Sequence, residues 1–165
     1  MPSTTTTRHS SHPEVNQALA AVECGGVTSD VLATWKAAGL GDAVVSEARA
    51  CVDAAQLTAV FARAAGAEVW RERSFEIVLD GVWITGVFDR VVLRRDAQGK
   101  VTGLDVYDFK TDRAGPDEAA QVASRYAGQM AIYRQAAARL TGLPEARVRC
   151  VLVLTALRQA VEATD

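Results

Sequence analysis

Cysteine is scarce here and badly placed for cross-linking. Cys24, Cys51 and Cys150 are scattered, odd in number and form no Cys-x-x-Cys pair. That pattern excludes a disulfide framework, a zinc ribbon and an iron–sulfur cluster, and it fits a reducing, bacterial cytoplasm. No Gly-x-x-x-x-Gly-Lys-Ser/Thr loop occurs, so the chain carries no ATP site of that kind. No apolar run reaches the roughly 18 residues that span a bilayer, so no membrane partner is expected. The opening Met-Pro-Ser-Thr-Thr-Thr-Thr-Arg lacks the apolar stretch of a signal peptide. Excess charge of one sign is also missing. With 18 Lys and Arg against 20 Asp and Glu, the formal net charge is −2. A globally basic polyanion binder is therefore not indicated, and contact with phosphates would need a local basic patch.

What is present is enough apolar material for one core, since 49% of the 165 residues are hydrophobic. Residues 1–11 read as a disordered lead-in and 12–165 as a single α/β domain, with a helical part over 12–66 and a core over 67–155. Pro13 suits a first helical turn, and the Ala- and Leu-rich stretch to Val22 continues it. Thr28, Ser29 or Asp30 caps a second helix to Ala38, which Gly39 closes. Asp42 opens a third helical stretch toward Ala65, with a break expected near Asp53. The pattern then becomes β-like. Residues 68–79 are rich in β-formers, Asp80-Gly81 is a two-residue hairpin signal, and Val82 to Leu93 returns. Val101 to Thr111 is a third strand. A long helix follows Asp117 to about Leu140, and Arg147 to Thr155 is a last strand.

The chemistry concentrates on the third strand. Side chains two apart share a face, so Leu104, Val106, Asp108 and Lys110 point one way while Tyr107 and Phe109 point into the core. An isolated Asp-x-Lys is ordinarily a salt bridge at a strand end. Its neighbours change that. Asp89 lies among Val87, Phe88, Val91 and Val92, where a lone acid is costly without a partner. An arginine such as Arg90, Arg94 or Arg113 is one such partner. An adjacent antiparallel strand could instead set Asp89 beside Asp108. Two close carboxylates repel, and a hard divalent ion with oxygen ligands resolves the repulsion. Glu72 is a further carboxylate on the first strand. On the long helix Gln129 and Tyr133 are four apart and share a face, suited to a phosphate or a base edge. Tyr126 reads as part of an aromatic stripe packed on the sheet.

Four segments now stand in order: Trp-Arg-Glu-Arg-Ser-Phe at 70–75, Gly-Val-Phe-Asp-Arg at 86–90, Tyr-Asp-Phe-Lys-Thr-Asp at 107–112 and Gln-Met-Ala-Ile-Tyr at 129–133. Their order and spacing resemble the successive motifs of RecB-like PD-(D/E)XK nucleases. The nearest likeness is to the C-terminal nuclease domain of AddA/RecB-type, UvrD-like helicase–nucleases. Each motif alone is weak, and the four in sequence carry the resemblance, which covers about residues 67–155 well and the helical first third loosely. It implies a restriction-endonuclease-like core, with helices followed by a β-β-β-α-β mixed sheet. It implies Asp89, Asp108 and the Phe109 carbonyl as ligands of Mg²⁺ or Mn²⁺, Lys110 orienting the attacking water, Glu72 supporting the metal site, and Gln129 and Tyr133 beside DNA. The implied activity is DNA cleavage in end processing and recombinational repair. The implied partners are a UvrD-like helicase motor or an AddB/RecC-like subunit. The absent cysteine cluster sets the chain apart from the iron–sulfur members of the Cas4 and AddB types.

One departure matters. The family carries a His on its first helix in a Gly-x-x-Val-His setting. Alignment through Leu19 to Glu23 puts Asn16 in that place, with His12 one turn earlier. Asn16 or His12 is thus a further candidate ligand. A catalytically degenerate module that binds DNA or a partner, and a structural α/β domain with a buried charge network, stand as the alternatives.

Overall fold

A two-residue turn builds the largest piece of the sheet. In the computed structural model, which describes residues 5–6 and 13–163, Asp80 and Gly81 both take left-handed backbone, with φ 50° and 77°. That geometry matches the twist of two antiparallel strands. Strand β2 (Glu68–Leu79) accordingly folds back onto β3 (Val82–Arg95), starting from Leu79 opposite Val82. Strand β4 (Val101–Lys110) lies antiparallel to β3, and β5 (Val148–Leu154) lies parallel to β4. The long helix α5 (Ala119–Thr141) makes the crossover that a parallel pair requires. Strand β6 (Gln159–Glu162) closes the far edge against β5. Thr5–Thr6 forms a short parallel β1 beside Ile84–Thr85.

Helices α1 (Pro13–Ala20), α2 (Ser29–Ala37), α3 (Asp42–Asp53) and α4 (Thr58–Phe61) cover one face of the sheet. They enclose Val92, Tyr107, Phe109, Val151 and Val153. Helix α5 covers the other face, over Val91, Leu93, Leu104, Val106 and Leu152. The alternation along β4 thus sends neighbouring residues into different cores, as its period of two requires. The fold is the restriction-endonuclease-like α/β arrangement expected. Two elements were not anticipated: β1, because Thr5–Thr6 lies within the stretch read as a disordered lead-in and gains its order only by pairing with β3, and β6, whose four residues alternate half-buried and exposed and carry little apolar signal. The third helical stretch breaks at Asp53, and α5 begins at Ala119 after a 3₁₀ turn at Pro116–Glu118. Thr28 caps α2 by accepting from the Val31 amide, whereas Asp42 is the first residue of α3 and Gly41 occupies its cap position.

The β2–β3 hairpin changes faces in its middle. On β3 the α5-side core takes Ile84 and Phe88, then Val91 and Leu93; on β2 it takes Trp70, then Phe75 and Ile77. The switch falls where Glu72 faces Asp89. Arg71 pairs with Arg90 and Arg73 with Phe88, while the position between them drops out of the ladder. Glu72 there has φ 47°, a left-handed conformation that is strained for a side chain of its size.

Two buried contacts hold this kink. Arg90 is 1% exposed and donates to the carbonyls of Val60 at 2.8 Å, Val22 at 2.7 Å and Glu23 at 2.7 Å. It thereby satisfies backbone acceptors left where α1 and α4 run out. Burial, and next the nearby Arg71, lower its pKa to about 10, so it stays charged at neutral pH. On the opposite face the Phe75 ring stacks on Phe88 with centroids 4.4 Å apart. The same ring lies over Gly86, where an added Cβ would sit 2.5 Å from Phe75 Cζ.

Two stability measurements check this account. Arg90→Met strands three carbonyl acceptors and should cost about 3 kcal/mol, a fall in Tm of roughly 6–12 °C by calorimetry at this chain length. Gly86→Ala forces the aromatic pair apart and should cost about 1–3 kcal/mol. An unchanged Tm in either variant contradicts the packing described.

Candidate active site

Strands β3 and β4 are paired from Arg95 opposite Val101 up to Arg90 opposite Tyr107, and the ladder ends there. Asp89 and Asp108 occupy the next position across the pair. In place of a backbone bond, the Asp89 carboxylate accepts the Phe109 amide through Oδ2 at 2.7 Å. This fixes Asp89 beside Asp108 at the opening between the strands. None of the three arginines that might have neutralised Asp89 pairs with it: Arg90 is spent on carbonyls, Arg94 is in an ion pair with Asp105, and Arg113 is exposed past the end of β4.

Asp108 and Lys110 share the α5 side of β4, as their spacing requires. Lys110 Nζ lies 2.8 Å from Asp108 Oδ2, and both side chains are 3% exposed. Burial pushes the Asp108 carboxyl up, against the pull of Lys110. Burial also raises Asp89 well above the usual carboxylate range. Asp108 adds to that rise, the Phe109 amide opposes it, and Glu72 adds a further upward push. Two acids that resist ionising together, with a single lysine between them, form a centre short of positive charge.

Helix α1 reaches the same point from the other face. Asn16 Nδ2 donates to the Phe109 carbonyl at 3.3 Å. Asn16 is 7% exposed, and its Oδ1 has no hydrogen-bond partner among the described residues. An orphaned buried oxygen is costly and calls for a ligand. The oxygens of Asp89, Asp108, Asn16 and the Phe109 carbonyl therefore fit a hard divalent cation, which takes carboxylate, amide and backbone oxygens alike. No trio of His, Cys, Asp or Glu suited to a metal occurs among the described residues. The fit thus rests on two acids and two neutral oxygens. His12 lies outside the described residues.

The helix residues divide. Tyr133 is 2% exposed. Its hydroxyl donates to the Val87 carbonyl at 3.0 Å and accepts from Gln129 Nε2 at 3.0 Å. Its ring meets Phe75 and Phe88 edge-on. It therefore anchors α5 to β3 two residues before Asp89, and of the pair only half-buried Gln129 faces outward. Tyr126 packs against the α5-side core, as expected from the sequence, and its ring also reaches the buried lysine. Lys110 Nζ sits 4.5 Å from its ring centroid, a cation–π contact, and its hydroxyl donates to Asp112 Oδ2 at 2.9 Å. Burial, then the Asp112 bond, raise that hydroxyl to about 12. The helical period carried the signal: Tyr126 lies three residues before Gln129 and seven before Tyr133, on the same face. Glu72 is exposed, across the broken ladder position from Asp89.

The sequence model of the PD-(D/E)XK nuclease superfamily matches residues 8–163, which includes every element that builds this centre. The A component of an ATP-dependent helicase/nuclease from Limosilactobacillus fermentum is 33% identical over 84 residues. That match takes in 48% of this chain but 6% of the relative, so the chain corresponds to a small portion of that protein. The match over nearly the whole length agrees with the two acids and lysine gathered where β3 and β4 part, and the chain belongs to the PD-(D/E)XK nuclease superfamily.

Proposed function

We propose that this chain is a Mg²⁺- or Mn²⁺-dependent deoxyribonuclease that hydrolyses phosphodiester bonds during DNA end processing in recombinational repair. The observation that carries the reading is the gathering of Asp89, Asp108 and Lys110 where β3 and β4 part, with Asn16 bonded to the adjoining Phe109 carbonyl. Asp89, Asp108, the Phe109 carbonyl and Asn16 would hold the ion. A divalent ion bound there supplies positive charge to the scissile phosphate and lowers the pKa of the attacking water.

The chain's own residues do the rest. Lys110, held between the Asp108 carboxylate and the Tyr126 ring, orients the water and offsets charge growing on the phosphate oxygens. Low exposure keeps that charge in a poorly screened setting, where it acts more strongly. Glu72 adds negative charge on the outer side of Asp89. Gln129 stands at the rim, beside the passing strand. The likeness to a component of a helicase/nuclease supports, as the partner, a UvrD-like motor or an AddB/RecC-like subunit.

A second reading, a DNA- or partner-binding module that no longer cuts, is favoured by one observation: an amide at Asn16 where relatives of this kind place an imidazole. Cleavage of linear single- and double-stranded DNA, assayed with Mg²⁺, Mn²⁺ or EDTA, separates the two. The nuclease reading expects metal-dependent products, lost by on the order of 10³-fold in Asp108→Ala and by about 10²–10³-fold in Lys110→Met. DNA binding without cleavage under either metal would establish the degenerate module instead. Asn16→His should raise the cleavage rate, most with Mn²⁺, which accepts imidazole more readily than Mg²⁺ does; an unchanged rate removes Asn16 from the metal site.

A further inference from the structure

Beyond the catalytic centre, the end of β4 opens into two adjoining cavities that share one side chain. Arg113, three residues past Lys110, lines both. One, of about 480 Å³, lies between α3 and the β5–β6 turn and also contains Ser46, Thr111, Thr155 and Arg158. The other, of about 250 Å³, lies against the start of α5 and contains Gln121 and Arg125. Thr155 ties the first cavity to the site, because its amide donates to the Lys110 carbonyl at 2.9 Å.

The acids in these walls are already engaged. Glu47 accepts the Thr155 hydroxyl at 2.7 Å. Glu118 accepts the Gly115 amide at 2.6 Å. Asp112, which lines neither cavity, takes the Tyr126 hydroxyl and stands 3.7 Å from Arg125. Arg113 and Arg158 are exposed, and no hydrogen bond or ion pair holds either guanidinium among the described residues. Two uncommitted guanidiniums lining one cavity leave a surface suited to phosphodiester anions, which guanidinium groups bind through paired N–H donors.

We propose that Arg113, flanked by Arg158 and Arg125, forms a phosphate-binding track for the DNA strand next to the scissile bond. The proposal rests on the nuclease reading and extends it to residues outside the family's four motifs. Such a track also explains how a chain of net charge −2 binds a polyanion, since local charge decides the contact.

Binding of a fluorescein-labelled single-stranded oligonucleotide in EDTA, followed by anisotropy across a KCl series, tests it on the intact chain. Arg113→Gln should lower the steepness of log K against log salt by about 0.7 and weaken binding equally for different sequences. Arg158→Gln should give a decrease of the same sign, Arg113→Lys should restore most of the slope, and Arg147→Gln, beyond the far end of α5, should leave it unchanged. Circular dichroism melts confirm that each variant is folded. Unaltered slopes in Arg113→Gln and Arg158→Gln, with tight binding by the parent protein, overturn the track and leave the nuclease reading standing. Failure of the parent protein to bind any oligonucleotide overturns both. Displacement of the oligonucleotide by inorganic phosphate but not by chloride at equal ionic strength, lost in Arg113→Gln, would make this a free-anion site and also overturn the proposal.

Discussion

Everything at the centre depends on one hydrogen bond, from the Phe109 amide to the Asp89 carboxylate. It forms where the β3–β4 ladder stops, so a side chain takes over the role of a backbone acceptor. A carboxylate accepting a backbone amide is a charge-assisted bond, stronger than a neutral one. It holds two strands at the point where they part, and that parting makes room for a site between Asp89 and Asp108. An ordinary ladder continued through this position would close the space, and a wholly open edge would leave the acids unplaced.

Holding two acids together has an electrostatic cost. Burial and mutual repulsion both oppose ionisation of Asp89, and burial opposes that of Asp108. Lys110 offsets part of this and is itself oriented by the Tyr126 ring. The rest of the domain supplies the rigidity that such a charged cluster needs. The aromatic group of Phe75, Phe88 and Tyr133 braces β3 from the α5 side. Arg90, the residue after Asp89, braces it from the helical side through three carbonyls. Asp89 is thus fixed by core packing on both faces of the sheet, while its carboxylate points into the gap between them.

The helical first third is therefore part of the site as well as a cover for the sheet. It contributes Asn16, placed on the Phe109 carbonyl, and it receives Arg90. The Asn16 bond and the Arg90 bonds to Val22 and Glu23 cross more than sixty residues of sequence, and the bond to Val60 crosses 30, so none could arise from local structure. An isolated β-sheet core would keep the acids and the lysine but lose the Asn16 contact and the clamp on β3.

The sequence by itself determined the elements and the cast. Turn chemistry at Asp80-Gly81, the change from helical to alternating patterning near Gly66, and the parity of Asp108 with Lys110 were all legible because they are set by neighbours a few residues away. Asp89 was conspicuous as an acid among apolar residues. Only the tertiary structure decided what depends on strand register and on helix–sheet docking: that Glu72 falls opposite Asp89 at a break in the ladder, that the Tyr133 hydroxyl is spent on Val87, that Tyr126 lies against Lys110, and that Arg113 stands between two cavities. Strand β6 escaped because a short edge strand gains its pairing from a partner and shows little pattern of its own. Local sequence carries periodicity and charge, whereas a site assembled from α1, β2, β3, β4 and α5 is fixed only when those elements pack.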